Sequence, residues 1–170
     1  MKKITVRDAF DLDAERFWRD VFFSRAFLER MYREALGADK VEILGESGDT
    51  ASGVTRRLRF SQKIDAPAPV RKIFGETTSM EEDGRFDAST RRWKFRMIPE
   101  RMADKIDITG ETWLEERGPG KVERVCELSV GVRIFAVGGL VEQYIASSTE
   151  TSWAKQTAFT RKYIGELARG

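Results

Sequence analysis

Apolar residues recur along this chain with two periods, and the places where one gives way to the other mark out its elements. Residues 2–10 alternate, putting Ile4 and Val6 on one face, and predict a strand. Residues 14–23 switch to helical spacing through Phe17, Trp18, Val21 and Phe22, with Asp11 or Asp13 placed to cap the N-terminus. Ser24 is a second cap signal. Residues 25–36 repeat the helical spacing at Phe27, Leu28, Met31, Tyr32 and Ala35, and Gly37 stands where a left-handed C-terminal residue belongs.

From Asp39 the period falls to two. Val41 and Ile43 alternate over 40–44, the turn formers of 45–53 predict a loop, and 54–64 set Leu58 and Phe60 against Arg57, Arg59 and Ser61. Pro67 and Pro69 interrupt the sheet, because proline donates nothing to a ladder, and 70–74 suit one short helical turn. Residues 76–82 and 85–88 flank Asp83-Gly84, a hairpin signal. Residues 90–98 carry Trp93, Phe95 and Met97 on one face and Arg92, Lys94 and Arg96 on the other. A turn at 99–104 leads to a strand over 105–116, through Ile106, Ile108 and Leu114. A turn at 118–120 precedes a last strand over 121–137, in which Gly131 marks a bulge or bend. Gly138 and Gly139 open a helix over 140–168, on the order of 40 Å long at 1.5 Å per residue. Strands segregated from helices make an α+β layout, with the long helix available to cover the apolar face of the sheet. No repeat, low-complexity tract or linker interrupts residues 1–170, so one domain is expected.

Composition narrows the chemistry. A net charge of +2 gives no global field that draws nucleic acid or anionic membrane. The chain has no histidine, which removes the commonest general base, the commonest metal ligand and every Ser-His or Cys-His pair. With a single cysteine, Cys126, no Cys/His zinc site and no internal disulfide can form, so no metal or cofactor is expected and a reducing, cytoplasmic setting is the simplest reading. The basic N-terminus is followed by no apolar h-region, and no apolar run approaches the roughly 18–20 residues of a membrane span. Cys126 shares its parity with Leu128 and Val130 and is expected to be a buried thiol. Eleven Phe, four Trp and five Met can build a large aromatic interior or line a wide pocket.

The charged residues predict a solvated surface. Arg56, Arg57, Arg59, Arg91, Arg92, Lys94, Arg96 and Arg101 suggest a basic outer sheet face, with Glu76, Glu82, Asp107 and Glu111 available to pair across strands. Trp93 and Phe95 alternate with the bases and point the other way, which argues against nucleic-acid binding. Glu81-Glu82-Asp83 leads into Gly84 and reads as a solvated turn.

Three motifs add a resemblance: Pro69-Val70-Arg71-Lys72-Ile73-Phe74-Gly75 before a strand, Gly110-Glu111-Thr112-Trp113-Leu114 before a Gly-rich turn, and Val137-Gly138-Gly139-Leu140-Val141-Glu142 entering the last helix. With the element order, they resemble the START-like (SRPBCC, helix-grip) superfamily, in particular an uncharacterised bacterial family within it. A fainter similarity runs to VASt and PRELI-like lipid-transfer domains. The resemblance implies a curved antiparallel sheet wrapped around the long C-terminal helix, with two short N-terminal helices and an internal cavity for an apolar molecule.

On a helical wheel, Val141, Ile145, Ser148, Ser152, Phe159 and Tyr163 share one face of the last helix, with Lys155 near its edge. The middle of that face is small and hydroxylated, so something must fill the space opposite. Phe60, Phe74, Trp93, Phe95, Met97, Ile106, Ile108 and Leu128 either fill it as an ordinary core or line a pocket into which Ser148 and Ser152 project. Lys155 either anchors an anionic head group or snorkels to water. Residues 66–75, with Arg71 and Lys72 beside Ile73 and Phe74, offer a transient membrane contact or pack as a plain connector.

The leading expectation is a noncatalytic carrier or sensor of a hydrophobic small molecule or lipid, binding through Phe60, Phe74, Trp93, Phe95, Met97, Ile106, Ile108, Leu128, Ser148, Ser152, Lys155 and Phe159. One alternative is a cyclase or dehydratase drawing on Tyr144, Tyr163 or Lys155. The other is a protein-interaction module. The oligomeric state is left open.

Overall fold

The computed structural model describes residues 1–170. Its first elements are β1 (Lys2–Phe10), α1 (Ala14–Arg16) and α2 (Arg25–Arg30). Asp13 caps α1 by accepting from the Arg16 amide at 2.9 Å, and Ser24 caps α2 by accepting from the Phe27 amide at 3.2 Å. Both helices widen into π-type turns, over Phe17–Phe22 and Met31–Ala35. There follow β2 (Lys40–Asp49), β3 (Gly53–Lys63), α3 (Ala68–Phe74), β4 (Thr77–Asp87), β5 (Arg92–Pro99), β6 (Ile106–Glu116), β7 (Val122–Val132) and α4 (Gly138–Arg169).

The seven strands form one antiparallel sheet in the order β1-β7-β6-β5-β4-β3-β2. The strands joined by α1 and α2 therefore lie at opposite edges of the sheet. The long helix packs on β1 and β7 and against the turns that follow α2, while the inner faces of β3 to β6 extend beyond it. This is the α+β layout that the element order implied, in the helix-grip form that the resemblance implied.

Three strands differ from what alternation predicts. Residues 45–49 are not loop but the second half of β2, which continues past a register shift between Ile43 and Gly45. The last strand ends at Val132, and the ladder with β6 runs through Gly131 without a bulge.

The third difference matters more. Asp83-Gly84 is not a hairpin tip: β4 runs unbroken through it, pairing Asp83 with Arg57 and Arg96, and Gly84 with Arg56 and Phe95. The turn lies at residues 88–91, where the Asp87 carboxylate accepts from the Ser89 and Thr90 amides and Arg91 takes φ +55°. Gly84 is there for space. A Cβ on it would come within 2.0 Å of the Trp93 ring. Gly110 serves Phe95 in the same way, since its Cβ would meet that ring at 2.3 Å.

The inner face is closed at one end by aromatic packing. Trp93 is buried with Trp18, Val54 and Phe86, and Phe22 and Phe23 meet its ring edge-on at 5.6 Å each. Along α4, Phe159 and Tyr163 pack on Phe27, with ring centroids at 5.8 and 5.1 Å.

Gly84→Ala is expected to destabilise the fold by about 1–3 kcal/mol or more, because the new methyl meets a ring that is itself enclosed. Gly45→Ala, which meets nothing within 4 Å, is expected to stay within about 0.5 kcal/mol of the parent. Urea denaturation of both variants checks this; equal effects would show that the Trp93 contact is not what selects glycine.

Candidate functional site

Between α4 and the uncovered half of the sheet lies a cavity of about 840 Å³. The strands show where it stops. On β3 it is lined by Phe60 and Gln62 but not Leu58; on β4 by Thr78, Met80 and Glu82 but not Gly84; on β5 by Met97 and Phe95 but not Trp93. On β6 it reaches Ile106 and Ile108, on β7 Leu128 and Cys126, and on β1 Ile4 and Val6. Beyond that line the aromatic packing takes over. Glu82, Phe95, Cys126 and Val6 therefore form the inner end of the cavity.

The rim lies along one exposed edge of α4, through Leu140, Gln143, Ser147, Thr151 and Lys155, opposite Lys63, Asp65 and Pro67. Phe74 reaches the cavity from α3, whose Val70 and Phe74 are buried while Arg71 and Lys72 stay in solvent.

Ten of the twelve residues singled out from the sequence meet at this space. Phe60, Phe74, Phe95, Met97, Ile106, Ile108 and Leu128 supply apolar wall, and Ser148 and Ser152 face it from the middle of α4. Lys155 sits exposed on the rim, its ammonium in water. Trp93 does not reach the cavity, because Gly84 lets its ring sink into the aromatic cluster. Nor does Phe159, because by that point α4 has reached α2. Tyr163 is buried in the same place with its hydroxyl 3.3 Å from Ser24 Oγ, whereas Tyr144 lines the cavity, and burial pushes its phenol up.

Two residues at the inner end were misplaced by the sequence pattern. Arg56 is not on the outer face but 4% exposed on the inner one. Its guanidinium lies 5.1 Å from the Trp93 ring and 5.4 Å from Phe22, donates to the Phe22 carbonyl at 3.1 Å, and pairs with Glu82 Oε1 at 3.4 Å. Glu82 is likewise not in a solvated turn. Burial pushes its carboxyl above the usual carboxylate range, with Arg56 opposing. Tyr32 lies beside them, its ring 4.6 Å from that of Phe60; burial and the nearby Glu82 charge push its phenol well up. Strand parity does carry the signal: residue 56 shares a face with Leu58 and Phe60, and residue 82 with Met80 and Gly84. The clustering of like charges obscured it.

A second buried pair ties α4 to the sheet. Arg124 pairs with Asp8 at 3.2 Å, bonds Thr157 at 3.3 Å, and lies 4.3 Å from the Trp153 ring, whose indole N–H also donates to Asp8. On the outer face Arg57 and Arg59 share Glu81, Arg92 and Lys94 share Glu111, and Arg96 meets Asp107. Cys126 is buried, and burial pushes its thiol up to about 11, so it stays an unreactive thiol. No cluster of three or more Cys, Asp or Glu side chains is arranged to hold a metal ion, and no helix is long and apolar enough to cross a membrane.

The family described as Protein of unknown function (DUF2505) matches residues 5–164, and the chain belongs to it. No curated protein matches the sequence. Solved structures share the fold. A protein from Thermus thermophilus is 16% identical, with 94% of this chain and 97% of that one covered and a TM-score of 0.64. The Zhui aromatase/cyclase from Streptomyces sp. R1128 is 14% identical over 99% and 94%, with a TM-score of 0.67. Norcoclaurine synthase from Thalictrum flavum is 19% identical over 97% and 87%, with a TM-score of 0.63.

A carboxyl raised in the folded state binds protons there that the unfolded chain has already released. Glu82 therefore contributes stability that is fully present below the ordinary carboxylate pKa and is lost as pH rises through its folded value. The stability of the parent relative to Glu82→Gln is expected to fall on going from pH 4 towards pH 8. Urea midpoints measured across that range check the sign; a rising difference would contradict the burial of this group.

Proposed function

We propose that this member of the DUF2505 family binds a hydrophobic small molecule between α4 and its sheet, as a noncatalytic carrier or sensor. The observation that carries the proposal is the cavity itself. About 840 Å³ is within the range of small-molecule sites, and the space is walled mainly by apolar side chains on the sheet side, with polar side chains concentrated on α4 and the rim. Phe60, Phe74, Phe95, Met97, Ile106, Ile108 and Leu128 are the apolar contacts in this proposal, and Ser148 and Ser152 the polar ones from the helix. Two neighbours in fold are named for a chemistry, an aromatase/cyclase and a norcoclaurine synthase, and the latter is known in complex with dopamine and hydroxybenzaldehyde.

Phe135 is 98% exposed in the segment entering α4, and Leu140 beside it lines the mouth. With Arg71 and Lys72 exposed on α3, which packs against α4, this side is suited to a transient membrane contact during delivery or uptake of a lipid. A single buried thiol suits the cytoplasm. A second reading, an enzyme of the cyclase or dehydratase type, draws on Glu82 and Tyr32, whose perturbed protons face the cavity.

The test is occupancy. The neutral fluorescent probe N-phenyl-1-naphthylamine is expected to bind one to one in the purified protein. Ser148→Phe and Ser152→Phe, which put a ring into the cavity from α4, are expected to weaken it at least tenfold without loss of thermal stability. Unchanged probe binding in both stably folded variants would mean that the site is elsewhere.

A further inference from the structure

The inner end of the cavity has a chemistry of its own. Glu82 gives Oε1 to Arg56, but Oε2 has no donor within the chain. The buried side-chain atoms sealed off without a partner are Arg56 Nε and Arg124 Nε, so Oε2 is not sealed; with Glu82 lining the cavity, that oxygen is open to it. Tyr32 lines the same space, and its hydroxyl is influenced by the Glu82 and Arg56 charges but by no hydrogen bond. An unpaired acceptor and an unpaired hydroxyl thus face one volume, next to apolar Val6, Phe95 and Met80.

Charge balance decides what fits there. With its carboxyl ionised, Glu82 makes a neutral unit with Arg56. A ligand carboxylate or ammonium brought against it adds a net charge in a low-dielectric site. No further counter-ion is at hand: Asp8 and Arg124 are engaged with each other and with Trp153 and Thr157. Lys63, Asp65 and Lys155 lie at the solvent rim, where a charged head group would remain hydrated. A neutral hydroxyl satisfies both open groups, donating to the carboxylate and accepting from the phenol, and adds no charge.

We propose that the inner end of the cavity recognises a neutral hydroxyl group, the alcohol or phenol terminus of an otherwise apolar ligand, with Glu82 Oε2 as acceptor and the Tyr32 hydroxyl as donor. This rests on the cavity being a binding site, and it selects against fatty acids and other charged amphiphiles bound head-inward. Glu82 orients the ligand, and Arg56 is a positioning residue that acts through Glu82.

The test uses three ligands of one chain length, 1-decanol, decanoate and decylammonium, each displacing N-phenyl-1-naphthylamine from the full chain at pH 8. Decanol is expected to displace the reporter at least tenfold more effectively than either ion. Tyr32→Phe keeps the ring on Phe60 and is expected to weaken decanol about five- to tenfold, once its displacement is corrected for the reporter affinity measured directly in that variant. Glu82→Gln leaves the Arg56 charge unbalanced, so decanoate is expected to gain on decanol in that variant. Equal displacement by all three in the parent would overturn the proposal, as would a decanol affinity unmoved in both variants. A reporter that never binds would instead overturn the cavity reading, and this proposal with it.

Discussion

One helix cannot cover seven strands. At about 4.8 Å per strand the sheet is nearly 30 Å wide, whereas a helix with its side chains is about 10–12 Å across. The helix packs on β1 and β7, and the inner faces of β3 to β6 must be covered by something else. At one end the answer is aromatic bulk. Trp18, Phe22 and Phe23, brought in by the wide turns after α1, meet Phe86 and Trp93 from the sheet, and Gly84 makes room for them. At the other end no such plug exists, and the middle of α4 carries Ser148 and Ser152 where a close-packed helix would carry leucine. The cavity is the remainder of that covering problem.

Two buried arginines manage the boundaries of the arrangement. Arg124 with Asp8 fastens α4 to the sheet, and Arg56 with Glu82 stands where the aromatic plug ends and the cavity begins. Each guanidinium lies over aromatic rings, which offer attraction without further charge. Such pairs are weak contributors to stability, because desolvation offsets much of their attraction, although losing one partner costs about 3–5 kcal/mol. Their position is therefore more informative than their strength. The Arg124 pair turns to Thr157 and Trp153, leaves Arg124 Nε sealed without a partner, and neither of its two residues lines the cavity. The Glu82 pair leaves an oxygen open to the only large apolar space in its neighbourhood, and Tyr32 stands beside it. The difference separates a structural clamp from a binding element.

The strand parities, the caps at Asp13 and Ser24, the small middle of α4 and the apolar wall from β5 to β7 were all legible in the sequence. These depend on neighbours in the chain or on a period that one element imposes by itself. The resemblance to helix-grip proteins then supplied the curvature and the place of the cavity. It was the chain alone, through its lack of histidine and its single thiol, that removed the commonest catalytic and metal chemistry from consideration.

What the sequence left undecided depends on contacts between distant strands. Asp83-Gly84 has the local chemistry of a turn, yet the glycine is required by the Trp93 ring on the neighbouring strand, and the ladder overrides the turn propensity. Arg56 looks like its surface neighbours Arg57 and Arg59, and only the arrival of Phe22, Trp93 and Glu82 around it makes an inward arginine tolerable. Trp93 and Phe159 belong to the predicted inner faces but fall beyond the ends of the cavity, because where a cavity stops is set by which rings meet across the sheet. Period and composition thus determined the elements and their buried faces. Which buried positions became packed core and which became open wall was decided in three dimensions, since filling a volume is a property of all its walls at once.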